Sequence, residues 1–489
     1  MWTDLSANVA IPMWAVLALS ALSAWALLRG LLMPSVRWAL RRRANRAIAE
    51  LNTRLKLHIQ PFKLTRRKVL VDRLLFDPDV MAAIDRHASE TGMTREQAIA
   101  KATRYVREIV PSFSHYAYFH IGARLARRVS QALYRVRLGY ANDYALKAVP
   151  PDASVVFVIN HRSNMDYILV TYVAASSSAL SYAVGEWAQV WGLRGLIRSM
   201  GAYFIRRNSR DPLYRRILAR YVDTATKAGV VQAIFPEGGL TRDGTLRPPK
   251  LGLLAYIVAG FDPQGERDVV FIPVGVNYDR VLEDRVLTAA AVTPPGETPR
   301  FRFNPMVFGG FVFRNLWLLL RGNWHRYGYA CVSFGNPVSL RQHLTERSLD
   351  LRTLAPDPRH AEIDLLGARL MNAVGQVVPA LPVSLVSTVI LQAGTEPQNL
   401  FELKGRVFAL MTALEAAGAH VHIPRSDRDY AIEVGLRMLR MRHLILVDGD
   451  SSRANPKELE LLRYYANAIA HLLPQHQVSA SSFLTPVVH

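Results

Sequence analysis

The sequence predicts an α/β fold, in which a mixed sheet forms a central domain between helical regions. Three observations support this prediction. Short β-branched apolar runs alternate with helical stretches after Pro150. The segments on both sides of that region have helical periodicity. An uncharged N-terminal run is long enough to span or embed in a membrane as a helix. We therefore predict a membrane anchor at residues 1–34, a helical region at 35–148, the α/β domain at 149–345 and a mostly helical region at 346–489.

The composition excludes several protein classes. The 489 residues include 60 Lys and Arg against 39 Asp and Glu, a net charge of +21, and 50% of them are hydrophobic. This is not the composition of a disordered chain. The single cysteine, Cys331, excludes an internal disulfide and a Cys-rich zinc or iron–sulfur site. The positive charge implies an anionic partner, which could be nucleic acid, an acidic membrane surface, a phosphorylated small molecule or an acidic carrier protein.

The N-terminal segment favours the membrane among these partners. Val9–Leu28 carries no charge, with Trp2 and Trp14 toward one end and Trp25 toward the other, as interfacial anchors would be. A buried core helix and an uncleaved signal segment are the alternatives. By the positive-inside rule, the arginines that follow place the rest of the chain on the cytoplasmic side of the cell membrane. These arginines are Arg29, Arg37, Arg41, Arg42, Arg43 and Arg46.

The elements after the anchor are predicted in chain order. Pro78–Thr91 is typical of a short amphipathic helix, and Thr94–Gln97 of a capping box that begins the next helix. Phe301–Trp324 is aromatic-rich and fits either a membrane-contacting hairpin or a core segment. His443–Val447 is a strand-like stretch in the C-terminal region. The strands predicted for the α/β domain are Val155–Asn160, Leu180–Val184, Ala202–Arg206, Val230–Phe235, Val269–Asn277 and Tyr327–Phe334.

The first of these strands leads into a candidate catalytic pair. His161 follows the strand and Asp166 lies five residues later. An imidazole can take a proton from an alcohol and return it to a leaving group, while a carboxylate fixes its tautomer. The same spacing recurs at His422–Asp427 and His443–Asp448, where no polar cluster completes a site, so we interpret those two as structural.

The next strand ends bring positive charge and glycine. Arg206 and Arg207 close one strand, and because side chains alternate along a strand, at most one of the two is expected to face the site. A glycine-rich turn with Glu237 and Arg242 closes another, and Lys250 lies just beyond it. Guanidinium groups bind phosphate oxygens in bidentate fashion, and glycine lets backbone amides approach an anion. The pattern therefore predicts a base beside a phosphate-binding site.

These segments resemble the glycerolipid acyltransferases. Asn160–Tyr167, Gly201–Arg207, Phe235–Arg242 and Ile272–Val274 are similar, in order, to the four sequence blocks of that family. Arg162 after the histidine and the doubled arginine of the second block are most similar to glycerol-3-phosphate acyltransferases of the PlsB kind and their dihydroxyacetone-phosphate relatives. The third block departs from the PlsB pattern, since Leu240 and Thr241 stand where arginine and serine are usual.

The resemblance implies a role for each matching residue. His161 would be the catalytic base and Asp166 would orient it, while an acyl thioester, either acyl-CoA or acyl carrier protein, donates the acyl group. Other residues would bind or surround the acceptor, and the reaction would need no metal or redox cofactor. Arg207, Arg242 and Lys250 would hold the acceptor phosphate, Glu237 and Gly238 would shape its pocket, and Pro273 would line the acyl or acceptor channel.

The leading functional hypothesis is a membrane-bound glycerol-3-phosphate 1-O-acyltransferase, with anionic membrane lipid as a further partner and no nucleic acid expected. Leu240 motivates an alternative, the same chemistry on lysophosphatidate, and dihydroxyacetone phosphate is a further possible acceptor. A third hypothesis is a non-catalytic basic protein that binds membranes or nucleic acid. Thioester consumption distinguishes this last hypothesis from the first two.

Overall fold

The computed structural model describes residues 67–473 except 115, 175–179, 186–192, 207–208, 293–326 and 395, together with Thr65 and five helical residues of the N-terminal segment. The chain divides into two units, residues 1–56 and 57–489. Most of the predicted membrane anchor and all of Phe301–Trp324 lie outside the described residues. Within the described part, no helix has both the length and the apolar character needed to cross a bilayer.

The described chain begins with three helices, which are α1 (Arg67–Leu75), α2 (Pro78–Thr91) and α3 (Arg95–Ile109). The predicted helix at Pro78–Thr91 is confirmed, and so is the capping box before α3. The Thr94 hydroxyl accepts from the Gln97 amide at 3.3 Å, and the Gln97 side chain accepts from the Thr94 amide at 3.2 Å. These two bonds satisfy amides that the first turn of a helix leaves without partners.

A π-helical turn, Ala117–Gly122, leads into α4 (Ala123–Leu133), and strand β1 (Arg135–Ala141) and α5 (Asp143–Lys147) follow. The helical prediction for residues 35–148 is wrong at β1, which pairs in parallel with a strand almost 200 residues later. Arg135 and Arg137 gave this segment the composition of the Arg-rich helices before it. As an edge strand, β1 is only partly buried, so it has no continuous apolar run.

The central sheet is mixed and mostly parallel, which confirms the predicted fold class. Its order is β1–β7–β6–β2–β5–β3–β4, and β8 pairs with β6. Only the pairings of β6 with β7 and with β8 are antiparallel. Every strand predicted for the α/β domain is present. The strands are β2 (Ser154–Ile159), β3 (Ser181–Gly185), β4 (Tyr203–Ile205), β5 (Gln232–Ile234), β6 (Val269–Tyr278), β7 (Tyr329–Phe334) and β8 (Val338–Ser339).

Helices cover both faces of this sheet. Alternate residues of β2 therefore belong to two different apolar cores, Val155 and Phe157 to one and Val156 and Val158 to the other. Burial on both sides explains why β2 has no polar alternation. The helices between the strands are α6 (Met165–Ala174), α7 (Leu193–Ser199), α8 (Pro212–Lys227), α9 (Gly252–Val258) and α10 (Asp284–Val292).

The C-terminal region is mostly helical and shares a core with the sheet. One apolar cluster runs from Val155 on β2 to Leu472 near the C-terminus. The predicted strand at His443–Val447 is present as β10, in a three-stranded antiparallel sheet with β11 and β9. The elements are α11 (Leu340–Glu346), α12 (Pro356–Val377), α13 (Pro382–Gln392), β9 (Gln398–Asn399), α14 (Leu400–Ala416), α15 (Arg428–Met441), β10 (Ile445–Asp448), β11 (Ser451–Ala454) and α16 (Leu459–Ala466).

Candidate active site

The site lies where β2 ends, at the centre of the sheet. Asn160 follows the last residue of β2, and its side chain continues the pairing with β6. The side-chain amide donates to the Val276 carbonyl at 2.9 Å, and the side-chain oxygen accepts from the Val276 amide at 2.7 Å. This bidentate contact fixes the point at which the chain leaves the sheet, and the next residue is His161.

The predicted pairing of His161 with Asp166 is present, with 3.0 Å between Nδ1 and Oδ2. Because Nδ1–H of a neutral imidazole donates to the carboxylate, Nε2 is left as the acceptor. His161 is buried and lines a cavity, and Nε2 has no hydrogen-bond partner within the described part of the chain. An imidazole nitrogen without a hydrogen-bond partner, on a residue that lines a cavity, could take a proton from a hydroxyl bound beside it.

Asp166 lies at the N-terminus of α6 and is held from three further directions. Its Oδ2 accepts from the amides of Arg162 at 2.7 Å and Ser163 at 3.0 Å. Its Oδ1 accepts from the Tyr278 hydroxyl at 2.7 Å. Burial and the neighbouring carboxylate raise the pKa of Tyr278 well above its usual value, so this phenol remains a donor. Together these donors hold the carboxylate in place beside the His161 ring.

Glu237 positions the backbone of the catalytic loop. Its Oε1 accepts from the His161 amide at 2.7 Å, and its Oε2 accepts from the Arg247 amide at 3.2 Å. The Thr241 amide in turn donates to the His161 carbonyl at 3.1 Å. Burial raises the pKa of the Glu237 carboxyl to about 7. The third sequence block thus hydrogen-bonds to both backbone groups of His161, its amide and its carbonyl.

Glu283 supports the same loop from the other side. Its Oε2 accepts from the Ser163 hydroxyl at 2.8 Å and its Oε1 from the Asn164 amide at 3.2 Å. Burial raises the pKa of this carboxyl above its ordinary value. Glu283 also lines the cavity. It precedes α10, so that helix and the catalytic loop are joined through one side chain.

The cavity beside His161 has a volume of about 1050 Å³. Basic and apolar side chains form most of its lining, which also includes Glu283, Asn164, Ser209 and three tyrosines. This combination suits a ligand with an anionic group and a hydrocarbon portion. The basic residues are Arg206, Arg215, Arg242, Arg247 and Lys250, and the aliphatic ones include Ile205, Leu218, Ile234, Leu240, Leu253 and Leu254.

Three of the predicted substrate-binding residues line this cavity, namely Gly238, Arg242 and Lys250. Gly238 adopts a φ of 68°, a conformation that favours glycine. A Cβ at this position would also lie 2.5 Å from Cδ of Lys250. The turn therefore favours glycine because of its backbone conformation, while the flexible Lys250 side chain could move away from a Cβ. Arg242 donates to the Ala290 carbonyl of α10 at 3.4 Å.

The other predicted residues have different positions. Arg207 lies outside the described residues. Arg206 makes two bonds to Glu108 of α3, at 2.9 and 2.6 Å, so a carboxylate already occupies much of its guanidinium fork. Pro273 is buried within β6, paired in register with Val158 of β2, and it is not among the residues that line the cavity. It lies five residues before the strand ends, and its place in an acyl or acceptor channel stays a prediction.

Sequence reasoning missed Tyr278, Glu283 and Arg215. Tyr278 ends the strand that carries the fourth block and lies on the neighbour of β2, so the parallel pairing of these strands was the available signal. Glu283 and Arg215 are placed by helices that have no local motif. Among the residues that the structure describes, no group of three or more His, Cys, Asp or Glu side chains is arranged to hold a metal ion.

Comparisons with known proteins find similarity to acyltransferases along most of the chain. A model of the acyltransferase family matches residues 141–277, and a model of the glycerol-3-phosphate acyltransferase C-terminal region matches residues 315–487. Curated glycerol-3-phosphate acyltransferases match most of the chain, which spans about half of their length. The protein of Pseudomonas syringae pv. syringae is 26% identical over 88% of this chain and 52% of its own. That of Pseudoalteromonas atlantica is 27% identical over 84% of this chain and 50% of its own.

A solved structure, the 1-acyl-sn-glycerophosphate acyltransferase PlsC of Thermotoga maritima, is 16% identical, with a TM-score of 0.30, over 63% of this chain and 96% of its own.

The two family models match successive parts of this chain, and the first of them covers the His161 pair and the glycine turn around the cavity. These matches lie in the order that the sequence blocks predict, and the chain is similar to the acyltransferase family over residues 141–277 and to the glycerol-3-phosphate acyltransferase C-terminal region over residues 315–487.

Proposed function

We propose that this protein transfers a fatty acyl group from acyl-CoA or acyl carrier protein to the sn-1 hydroxyl of glycerol-3-phosphate. One observation carries the proposal: His161, whose Nε2 has no hydrogen-bond partner among the described residues, lines a cavity together with Arg242, Lys250 and aliphatic side chains. The names of the curated relatives support the choice of acceptor. Acyl transfer to glycerol-3-phosphate would be the first acylation of phospholipid synthesis.

In this reaction Nε2 of His161 takes the proton of the acceptor hydroxyl as its oxygen attacks the thioester carbonyl. Asp166 stabilises the resulting imidazolium through the bond at Nδ1. The tetrahedral oxyanion collapses, the C–S bond breaks, and the imidazolium returns the proton to the departing thiol. No step of this sequence requires a metal or redox cofactor.

The acceptor phosphate would bind the basic lining residues. Arg242 and Lys250 flank the glycine turn, and Arg215 approaches from α8. All three residues are exposed, and their guanidinium and ammonium groups would form charge-assisted hydrogen bonds with the phosphate oxygens. The hydrocarbon of the donor would lie against the aliphatic lining. We further propose that the N-terminal segment attaches the chain to the cell membrane, with the site on the cytoplasmic side.

The test is a turnover assay on the purified protein, with acyl-CoA and acyl carrier protein as donors and glycerol-3-phosphate as acceptor. His161→Ala should lower kcat by about 10²–10⁴-fold, the usual contribution of general base catalysis. His360→Ala, which changes an exposed histidine of α12, is the matched control and should leave turnover unchanged. Undiminished turnover by the folded His161→Ala protein would refute the proposal.

A second candidate acceptor is lysophosphatidate, favoured by one observation. Leu240, which replaces a family arginine, lines the cavity and makes its wall less cationic and more apolar. Offering lysophosphatidate, dihydroxyacetone phosphate and glycerol-3-phosphate together, with one labelled thioester, decides among them. Faster product from lysophosphatidate would favour that acceptor. No thioester consumption with any acceptor would point instead to a non-catalytic binding protein.

A further inference from the structure

One exposed helical surface has no part in the site described above. Tyr116, Ile121 and Leu125 are exposed on the π-helical turn and α4. In a π-helical turn residues five apart share a side, and in an α-helix residues four apart do so. Tyr116 and Ile121 are five apart across the π-turn, and Ile121 and Leu125 are four apart. The π-turn therefore brings three large apolar side chains into one exposed line, which we call the α4 ridge.

Arginines flank the α4 ridge without counter-charges. Arg124, Arg127 and Arg128 are exposed on α4, and within the described residues no carboxylate pairs with them. The sequence from residue 109 to residue 142 contains no Asp or Glu at all. This surface therefore combines an apolar line with an uncompensated positive charge, and both features face the solvent.

The opposite side of this segment is firmly packed. Tyr118 is buried, and its hydroxyl accepts from the Leu180 amide at 3.0 Å. Ala126 and Ser130 are the buried residues of α4 itself. Gln131 donates to the hydroxyl of Tyr172 on α6 at 3.1 Å. Since α6 begins at Met165, next to Asp166, the helix below the ridge is the one that carries the catalytic carboxylate.

We propose that the α4 ridge lies in the headgroup layer of a bilayer that contains anionic lipid. Interfacial helices bury an apolar line of this kind to a shallow depth while arginines beside it contact lipid phosphates. Tyrosine is favoured at that depth because its ring is apolar and its hydroxyl remains hydrated. The complete absence of acidic residues fits an anionic surface. This contact is separate from the N-terminal segment and does not depend on the proposed catalytic reaction.

Such a contact places the helix of Asp166 directly above the membrane surface. An acyltransferase with this arrangement would release its lipid product beside the bilayer that receives it. The contact would also restrict the orientation of the described unit, because the ridge and its arginines lie along one helix. The proposal predicts that lipid contact at the α4 ridge becomes stronger as the membrane contains more anionic lipid.

The test uses the full chain with a fluorescent label on the thiol introduced by Leu125→Cys. The natural Cys331 does not compete for the label, because it is buried and burial raises the pKa of its thiol to about 12. The protein is placed in vesicles of brominated phosphatidylcholine, with or without phosphatidylglycerol, and quenching by the brominated chains is measured. The control label is on Phe401→Cys, which changes another exposed apolar residue, on α14.

We expect quenching of the label at position 125 that strengthens with phosphatidylglycerol and weakens with added NaCl, and little quenching of the label at position 401. Absent quenching at position 125, or equal quenching at both positions, would overturn the proposal. The triple variant R124E/R127E/R128E should lower the fraction of quenched label by about tenfold in anionic vesicles. The variant R86E/R440E/R453E changes net charge equally at exposed arginines elsewhere and should retain the quenching. A folded triple variant with unchanged quenching would also overturn the proposal.

Discussion

Tyr278 is the residue whose role in the candidate site is most specific. It belongs to the fourth sequence block's strand, yet its hydroxyl donates to Asp166, more than 100 residues earlier in the chain. The ring packs beside the ring of Tyr134, with 5.3 Å between their centroids. The hydroxyl and the ring therefore have separable functions, the first in holding the carboxylate and the second in filling the core.

Tyr278→Phe should lower kcat by about tenfold with little change in KM, because the ring remains while Asp166 loses a buried donor. A hydrogen bond to a charged group contributes roughly 1.5–3 kcal/mol, so the free energy of unfolding should also fall. Steady-state kinetics and denaturant unfolding measure the two effects. Tyr134→Phe is the control, since its hydroxyl donates to the Arg280 carbonyl instead. Equal losses of kcat in both variants would show that the loss does not come from the bond between Tyr278 and Asp166.

Glu237 makes stability depend on pH. Burial raises its pKa from 4.5 to about 7, so the native state keeps a proton that the unfolded chain releases earlier. The free energy of unfolding should therefore fall as pH rises from about 4.5 to 7, by roughly 3 kcal/mol from this residue. Glu237→Gln removes that dependence. Denaturant unfolding at several pH values should give a flatter profile for the variant, and parallel profiles would contradict this.

At the scale of elements, α8 depends on one capping residue. Asp211 accepts from the amides of Leu213 and Tyr214 and from the hydroxyl of Tyr105, and pairs with Lys101 at 2.8 Å. These contacts begin α8 and join it to α3. Since α8 carries Arg215 and Leu218 to the cavity wall, the cap also sets the position of part of the site.

Asp211→Ala should lower the free energy of unfolding by about 2 kcal/mol. This value is in the upper part of the range for a lost helix cap, because the ion pair with Lys101 is lost as well. It should also raise KM, since the start of α8 is no longer held against α3. Asp427→Ala is the matched control, because it removes the cap of α15, which does not line the cavity. A rise in KM for both variants would mean that α8 has no special influence on binding.

The elements also show what sequence can and cannot predict. Buried strands were predictable because apolar β-branched runs continue through them, and the pairing of His161 with Asp166 because the two residues are only five apart in the chain. The edge strand β1 lacked that signal. The engagement of Arg206 by Glu108 was beyond prediction, since those residues lie on a strand end and a helix almost 100 residues apart. Pairings between distant helices and loops leave no local periodicity in the chain.

At the scale of the whole molecule, the C-terminal region supports the catalytic loop. The hydroxyl of Tyr464 on α16 donates to the Arg162 carbonyl at 3.4 Å, and the Arg162 guanidinium lies 5.2 Å from the centre of the Tyr464 ring. Arg442, the residue after α15, pairs with Asp284 at 2.6 Å and donates to the Tyr465 hydroxyl at 2.8 Å. Tyr465 also donates to Asp284. The region that matches the C-terminal family model is thus bonded to the start of α10.

Asp284 follows Glu283, which holds the amide of Asn164 and the hydroxyl of Ser163 beside His161. A chain of contacts therefore runs from the C-terminal helices through α10 to the catalytic loop. Because Arg442 and Asp284 are both buried, their charges are only weakly screened by water. Loss of one partner leaves the other charge buried and unpaired, which is costlier than loss of the pair.

Arg442→Met should therefore lower the free energy of unfolding by about 3–5 kcal/mol, the range for breaking one side of a buried ion pair. It should also lower kcat, because the start of α10 is no longer held in place. The double variant D284N/R442M should recover part of the stability, since no unpaired charge remains. Denaturant unfolding of the single and double variants measures the changes in the free energy of unfolding, and steady-state kinetics measures the change in kcat.

Arg285 provides the matched control, because it pairs with Glu458 at 2.9 Å between the same two parts of the chain but is largely exposed. Arg285→Met should cost less than about 1 kcal/mol and leave kcat unchanged, as exposed pairs are screened by solvent. A loss for Arg442→Met no larger than this would show that the C-terminal region does not stabilise the site through the buried pair. If Arg442→Met lost more stability than Arg285→Met but kept its kcat, the buried pair would stabilise the fold without positioning Glu283.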